Sequence, residues 1–195
     1  MGKGFETNDK FNSMKNIIFL DIDGVLNCQL MYEAKFQKGY KEVKKELRWK
    51  VKHNTIEKLD FYSKQIDSER VQWLNELCEK TDSQIVVSST WRKGKTIEEL
   101  QEIFDYCGGT FKILDKTGNC GCRTRGCEIN VWLSDNCQKY FGIESHSFTN
   151  YAIIDDDSDM LLNQQANFFP TDNYSGLTPN TCYKINLFFN RQSKL

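Results

Sequence analysis

Two aspartates, Asp21 and Asp23, stand two positions apart and are followed directly by Gly24. They come after an apolar run, residues 17–20, of the kind that forms a buried parallel strand. Side chains two apart on a strand share a face, so both carboxylates should project from the carboxyl end of that strand, where open α/β sheets bind ligands. Because two carboxylates repel each other, the pair predicts a cation or a shared proton; a polar turn that merely ends a strand is the alternative.

Two more apolar runs end in polar residues. Residues 85–87 lead into hydroxyl side chains, and residues 151–154 lead into an acidic run. Carboxylates from two strand ends can share one hard cation such as Mg²⁺ through oxygen ligands. Hydroxyl groups and an Arg side chain at a helix start suit the oxygens of a phosphoryl group. The residues that this pattern adds are Ser88, Ser89, Thr90, Arg125, Asp155, Asp156, Asp157 and Asp159.

The segments between these runs alternate between helical and strand patterns. Asp67 is a suitable N-cap, and Thr96 with Glu99 forms a capping box. Such alternation predicts a parallel α/β sheet with helices on both faces, in one domain over residues 16–195 after a loose arm of residues 1–15. The helices are predicted at residues 67–80, 96–107, 128–141 and 179–190, and further strands at residues 110–114 and 166–169.

The composition is that of a globular protein, with 39% hydrophobic residues and a net charge of -1. A near-neutral chain is not a globally basic nucleic-acid binder, although a local basic patch fits within that charge. No apolar run approaches the roughly 20 residues that cross a bilayer, and the N-terminus has no apolar signal region. We therefore expect a cytoplasmic protein without a membrane partner.

Eight cysteines without a secretion signal predict reduced thiols. The alternative is a structural metal bound by three cysteines of one loop and a fourth, distant ligand. The C-x-C spacing in that loop is not the usual spacing of zinc sites, so reduced thiols are the favoured interpretation. The loop residues are Cys120, Cys122 and Cys127, and the candidate fourth ligands are Cys107, Cys137 and His146.

Residues 28–66 lack the hydrophobic period of a core element. Within them, residues 35–52 carry eight Lys or Arg against two Glu, interleaved with aromatic residues. A solvated amphipathic helix or hairpin is the simpler interpretation. The functional alternative is an insertion that offers cations and stacking faces to a phosphorylated or nucleic-acid substrate. The residues proposed for this substrate platform are Lys44, Lys45, Arg48 and Trp49.

Four motifs resemble those of the haloacid-dehalogenase (HAD) superfamily of phosphohydrolases. The chain is similar in particular to the small HAD phosphatase domains associated with RNA-repair proteins, over about residues 16–187. The resemblance implies a Rossmann-like parallel sheet flanked by helices, with a small cap inserted after the first strand at about residues 28–66. The motifs are LDIDGVLN at residues 20–27, VVSSTWR at 86–92, RGCEINVWL at 125–133 and YAIIDDDSD at 151–159.

The resemblance implies covalent catalysis by carboxylates. Asp21 would be the nucleophile that forms an aspartyl-phosphate, and Asp23 would protonate the leaving oxygen and then activate water. Ser88 matches the residue that binds the phosphoryl group, with Ser89 as the alternative. An acid at position 23 is typical of the phosphatases of the superfamily, so a phosphate ester is the implied substrate.

The resemblance also implies a cation and a metal site. Arg125 would neutralise charge on Asp21 and in the transition state, with Arg123 and Arg92 as its competitors. Asp155 and Asp156 would hold Mg²⁺ together with the Asp21 side chain and the backbone carbonyl of residue 23. Because Asp157 continues the same run of acids, the sequence leaves open which two of the three coordinate the metal. Asp157 is favoured for a place around the metal or in the cap, and Asp159 for hydrogen bonds with the loop.

The expected activity is that of a Mg²⁺-dependent phosphomonoesterase acting on nucleic-acid 3′-phosphate ends or on nucleotides. A phosphatase of small metabolites and a phosphotransferase are alternatives with the same site. A HAD-like module without catalysis, acting by binding alone, is the alternative from another class, and the intact Asp21 and Asp23 argue against it. Protein partners and oligomeric state stay open.

Overall fold

The structure is a computed structural model that describes residues 16–53, 56–122, 124–142, 144, 148 and 150–192. The predicted N-terminal arm, residues 1–15, lies outside the described residues. Arg123 and His146, which the sequence made candidates for the cation and for a metal ligand, also lie outside them.

The centre of the fold is a five-stranded sheet in which every strand pair is parallel. The strand order is β3-β2-β1-β4-β5, so the strand that ends at the first aspartates is the central one. This confirms the predicted parallel α/β sheet. The strands are β1 (Asn16–Leu20), β2 (Ser83–Val87), β3 (Ile113–Lys116), β4 (Tyr151–Asp155) and β5 (Phe168–Pro170).

Seven α-helices occur among the described residues, and three of them begin as the sequence predicts. The Asp67 side chain accepts a hydrogen bond from the Glu69 amide at 2.9 Å, and Thr96 and Glu99 make both bonds of a capping box. No described helix has the length and apolar character needed to cross a membrane. The helices are α1 (Gln29–Phe36), α2 (Tyr40–Lys52), α3 (Lys58–Ser63), α4 (Ser68–Thr81), α5 (Ile97–Tyr106), α6 (Arg125–Phe141) and α7 (Pro179–Gln192). The three that begin as predicted are α4, α5 and α7.

The two faces of the sheet have separate apolar cores because side chains alternate along each strand. Ile18 and Leu20 pack with α4, α5 and α7 on one face. Phe19 points to the other face, where its ring lies edge-on to Trp132 of α6 with centroids 5.3 Å apart. Asp21 is two residues after Phe19, so its side chain points to the same face of the sheet, where α6 lies.

A third apolar cluster lies in residues 28–66 and corrects the expectation that this segment has no core of its own. Tyr32 of α1 is fully buried and packs with Val43 and Leu47 of α2. The hairpin alternative is wrong, because residues 40–52 are helical. The spacing of Val43 and Leu47, four residues apart, gives α2 one buried face and one polar face.

Two strands begin later than predicted. β3 starts at Ile113 and not at Thr110, whose amide donates to the side chain of Asn75 at 2.8 Å. β5 starts at Phe168, since residues 162–167 form a 3₁₀ helix. Both differences arise from tertiary contacts that local patterns do not reveal.

We expect Phe19→Ala to lower the free energy of unfolding by about 3–5 kcal/mol, because Phe19 is fully buried on the central strand and a cavity would remain beside α6. Leu162→Ala is the control, since Leu162 is 91% exposed and should change that free energy by less than about 0.5 kcal/mol. Urea unfolding followed by circular dichroism measures both. Equal losses for the two variants would contradict the assigned core.

Candidate active site

Strand pairing brings three polar side chains to one level at the carboxyl edge of the sheet. The Asp21 amide donates to the Ile154 carbonyl at 2.9 Å, and the Ser88 amide donates to the Leu20 carbonyl at 3.0 Å. The backbone hydrogen bonds between strands thus continue one residue beyond the end of β1. Asp21, Ser88 and Asp155 therefore lie side by side at the carboxyl ends of three adjacent strands. Parallel strands in this register present such neighbours on one face.

The turn after β1 depends on Gly24. Its φ of +79° lies in the left-handed region, and a Cβ there would come within 2.2 Å of the Asp156 carboxylate. The Gly24 amide donates to the Asn27 side chain at 3.1 Å, and Asn27 donates in turn to the Asp23 carboxylate at 2.9 Å. The turn therefore orients Asp23 and lets the β4 loop approach β1 closely.

Three carboxylates form a group that fits a divalent cation. Asp21, Asp155 and Asp156 each offer an oxygen, and these oxygens lie within 4.8 Å of one another. Oxygen ligands of this kind suit Mg²⁺, which also keeps waters and substrate oxygens. The Asp23 side chain lies outside this trio, which leaves its backbone carbonyl for the ligand role that the sequence implied. Asp157 is exposed, and its amide donates to the Asp155 carboxylate at 3.0 Å.

Arg125 contacts two carboxylates of the site. Its Nη2 lies 3.1 Å from Asp21 Oδ1, and its Nε lies 3.0 Å from Asp155 Oδ2. The helix that carries it, α6, begins at Arg125 and not at residue 128 as predicted. The reason is a cap from another segment: the Arg125 amide donates to the Asp159 carboxylate at 2.8 Å. This bond confirms the expectation that Asp159 hydrogen-bonds the loop.

The buried carboxyls are short of positive charge. Burial, together with the nearby Asp155 carboxylate, raises the pKa of Asp21 to about 8, although Arg125 acts in the opposite direction. Burial likewise raises the pKa of Asp155 to about 6 and raises the pKa of Asp156. A divalent cation among these oxygens would favour their ionised forms, so the chemistry of the donor set fits Mg²⁺.

The two serines after β2 differ in their contacts. The Ser88 hydroxyl is fully buried and has no hydrogen-bond partner among the described residues. The Ser89 hydroxyl accepts a bond from the Trp91 amide at 3.4 Å and interacts with the Asp21 carboxyl. A buried polar group without a partner is costly, so Ser88 is suited to donate to an oxygen of a bound phosphoryl group.

Arg92 holds the loops around the serines and was not assigned this role from the sequence. It is 4% exposed, and its Nη1 donates to the Ser88 carbonyl at 2.5 Å and to the Ser89 carbonyl at 2.8 Å. Its Nη2 forms an ion pair with Glu128 of α6 at 2.6 Å. Glu128 also faces Arg125 Nη1 at 3.8 Å, so one carboxylate links the two guanidinium groups.

Lys44 of α2 reaches into the site. Its Nζ lies 3.0 and 3.2 Å from the two Asp23 carboxylate oxygens and hydrogen-bonds the Tyr40 hydroxyl. The side chains of Lys45, Arg48 and Trp49 are exposed, whereas that of Lys44 is only 16% exposed. The platform residues of the sequence analysis therefore divide into one that contacts Asp23 and three that face outward.

A cavity of about 300 Å³ lies between the sheet edge and α2. Its size accommodates a phosphoryl group and part of the group esterified to it. Most of its lining residues carry polar side chains, which suits a charged ligand. Its lining residues are Asp21, Asp23, Gly24, Asn27, Cys28, Gln29, Tyr40, Thr90, Arg125, Asp156, Asp157 and Asn173.

A sequence model of the family described as "HAD domain in Swiss Army Knife RNA repair proteins" matches residues 17–182. The chain belongs to this family. No curated protein and no solved structure matches the chain. Family membership makes this HAD domain a phosphatase-type hydrolase in its broad class. HAD proteins generally use Mg²⁺, and the buried acidic trio is where this HAD domain could bind it.

The alternative metal site in the cysteine loop lacks the geometry of a ligand group. Among the described residues, the acidic trio alone brings three candidate ligand atoms within 4.8 Å of one another, and the thiols of Cys120, Cys122 and Cys127 do not. All eight cysteines are free thiols.

We expect Arg92→Met to lower the free energy of unfolding by about 3–5 kcal/mol, because it leaves the buried Glu128 carboxylate without its closest partner. Adding Glu128→Gln to this variant should recover part of the loss, since the uncompensated buried charge is then removed. The free energy of unfolding in urea is measured for the parent protein, both single variants and the double variant, which together form a double-mutant cycle. Strictly additive losses would contradict the coupling of Arg92 and Glu128.

Proposed function

We propose that this HAD domain is a Mg²⁺-dependent phosphomonoesterase that acts through an aspartyl-phosphate on Asp21. The observation that carries the proposal is the placement of Asp21: it is 5% exposed, lies within the acidic trio and is 3.1 Å from the Arg125 guanidinium. A carboxylate so placed has a cation beside it and an open cavity in front of it.

The first half of the reaction transfers the phosphoryl group to the protein. An Asp21 oxygen attacks phosphorus, and the bond from phosphorus to the ester oxygen breaks as Asp23 gives that oxygen a proton. Arg125 and the Ser88 hydroxyl stabilise the phosphoryl oxygens during this transfer. Bound Mg²⁺ would neutralise charge on the attacking carboxylate and on the phosphoryl oxygens.

The second half regenerates the free carboxylate. Asp23, now ionised, takes a proton from water, and the resulting hydroxide attacks phosphorus. The bond between phosphorus and Asp21 breaks, inorganic phosphate leaves, and Asp23 is protonated again. If another hydroxyl group replaced water in this step, the same site would act as a phosphotransferase. Hydrolysis is favoured because the cavity is open to solvent beside Asp23, whose side chain is 30% exposed.

A polynucleotide 3′-phosphate end is the proposed substrate, and two observations support it. The first is the family, which is described by its RNA-repair proteins. The second is a basic stripe on α2, defined by Lys41, Lys45, Arg48 and Lys52, whose spacings of three and four residues place them on one exposed side of the helix. Among the described residues none of the four forms an ion pair with a carboxylate, so all four charges are available to phosphates.

Helices α1 to α3 act as the cap in this proposal. They form their own apolar cluster, and α2 contributes Tyr40 to the cavity wall and Lys44 to the Asp23 carboxylate. Of the residues in α1 to α3 only Gln29 and Tyr40 line the cavity, so in this proposal the cap leaves a path for a chain that extends beyond the reacting phosphate. The exposed Trp49 lies beside the basic stripe and could stack on a base.

A phosphatase of nucleotides or other small esters is the second candidate. The observation that favours it is the cavity of about 300 Å³, which suits a ligand of that size. A module that binds without catalysis has less support. The nucleophile, the cation and the acidic trio are all in place, and none of them would be needed for docking a protein partner.

We expect Asp21→Asn to lower kcat for a phosphomonoester by about 10³-fold or more, because the amide cannot act as the nucleophile. The same change should leave the unfolding midpoint equal or higher, since it relieves repulsion among buried carboxyls. Asp135→Asn is the matched control, because Asp135 is exposed on α6. Phosphate release is measured with Mg²⁺ and after exhaustive chelation with EDTA. Turnover retained by Asp21→Asn, or by the chelated enzyme, would contradict the mechanism.

We expect the double change Lys45→Ala and Arg48→Ala to lower kcat/KM on a 3′-phosphorylated RNA oligonucleotide about tenfold and to have a smaller effect on an aryl phosphate. A plot of log(kcat/KM) against the logarithm of the salt concentration should become less steep for the oligonucleotide, by the amount that corresponds to about two lost phosphate contacts. Lys44 stays intact because it contacts Asp23. Lys112→Ala with Lys184→Ala is the control, as both lysines are exposed elsewhere. Equal losses on both substrates would argue for small esters.

A further inference from the structure

The loop between β3 and α6 contains two thiols that face each other. Cys120 Sγ and Cys122 Sγ are 2.6 Å apart, close to the roughly 2.05 Å of a disulfide bond. Gly121 between them has a φ of +78°, a left-handed conformation that turns the chain so that both side chains lie on one side. Cys122 is exposed and Cys120 is partly exposed, so a small oxidant can reach them.

The remaining cysteines of the described residues lie in different surroundings. Cys28, Cys78 and Cys137 are buried, and burial raises the pKa of each thiol. Burial also raises the pKa of Cys107 and of Cys182 to about 11.

Hydrogen bonds with Cys120 and Cys127 raise the pKa of Cys122 to about 11 as well, whereas a hydrogen bond with Thr124 lowers the pKa of Cys127. The Cys120 and Cys122 pair is therefore distinguished by its short sulfur–sulfur distance and its exposure, and not by thiol acidity.

We propose that Cys120 and Cys122 form a reversible dithiol–disulfide site that is oxidised by low-molecular-weight disulfides such as oxidised glutathione. One protein thiolate attacks the glutathione disulfide and releases one glutathione thiolate. The second protein thiolate then attacks the mixed disulfide, the Cys120–Cys122 bond forms, and the second glutathione leaves. The protein loses two electrons and two protons, and glutathione gains both.

The position of this site connects it to the catalytic cation. On one side of the loop, Arg92 binds the carbonyls of Thr117 and Gly118 at 2.8 and 3.3 Å. On the other side, Asp159 accepts the Arg125 amide at 2.8 Å. Cys120 and Cys122 lie between these two anchors. Bond formation closes a gap of only about 0.5 Å between the sulfur atoms, so the displacement passed to the first turn of α6 is small. In this proposal that displacement shifts the Arg125 guanidinium relative to Asp21, and oxidation should then lower phosphatase activity.

The first test does not depend on the proposed function. The protein is equilibrated with glutathione buffers of increasing oxidised fraction, the remaining thiols are alkylated, and the peptides are analysed by mass spectrometry. We expect one peptide in which Cys120 and Cys122 have escaped alkylation and have together lost two hydrogen atoms. Cys120→Ser and Cys122→Ser should each abolish this product, whereas Cys107→Ser, on the far side of α5, should not. A stable glutathione adduct, a bond to Cys127, or full alkylation throughout would overturn the assignment.

The second test measures the consequence for activity, and it rests on the proposed function. Oxidised protein should turn over an aryl phosphate about tenfold more slowly than reduced protein, because small displacements of a catalytic cation are costly. Dithiothreitol should restore the rate, and the Cys120→Ser variant should be insensitive to the buffer. Equal loss in Cys120→Ser would overturn the link to Arg125. A protein without activity in either state would overturn the proposed function and leave the disulfide result standing.

Discussion

The rest of the site depends on the burial of several carboxylates at one edge of the sheet. Asp21 and Asp155 are 5% and 0% exposed, and they stand on adjacent strands. Removing two like charges from water costs several kcal/mol per ion unless nearby charge compensates for it. The described residues supply one guanidinium in contact with both, that of Arg125. The raised pKa values of both carboxyls show that this compensation is incomplete, and a divalent cation would complete it.

A charged edge of this kind works only if the groups around it cannot relax. Arg92 binds the carbonyls that follow β2 and pairs with Glu128, while Glu128 faces Arg125. The loop that follows β2 and the helix that carries Arg125 are therefore linked to each other through Arg92 and Glu128. Donors and charges fixed before the substrate arrives need no reorganisation during the reaction, which is the main electrostatic advantage of an enzyme over water.

The site could be predicted where it follows from strand ends, because the carboxyl ends of parallel strands converge whatever the details of packing. Asp21, Ser88 and Asp155 belong to this part, as does the parallel sheet itself. The structural role of Arg92 could not be predicted in full, since besides the nearby serine carbonyls it depends on the Thr117 carbonyl, 25 residues away along the chain, and on Glu128 of α6. The early start of α6 depends on Asp159 in the same way. The structure of residues 28–66 was harder still to predict. Their apolar residues pack with each other and are too few to give a clear helical periodicity in the sequence.

The contact between Lys44 and Asp23 links helix α2 to the candidate active site. The Lys44 ammonium group contacts the Asp23 carboxylate and the Tyr40 hydroxyl, and both Asp23 and Tyr40 line the cavity. An ion pair in such surroundings contributes only about 1 kcal/mol, so a phosphate dianion in the cavity can compete for the same ammonium group. Asp23 must be free of that pairing to carry a proton in the proposed reaction. In the proposed reaction, binding of a phosphate ester would thus free Asp23 from Lys44 before Asp23 protonates the leaving oxygen. Without a bound ester, Asp23 would stay paired with Lys44.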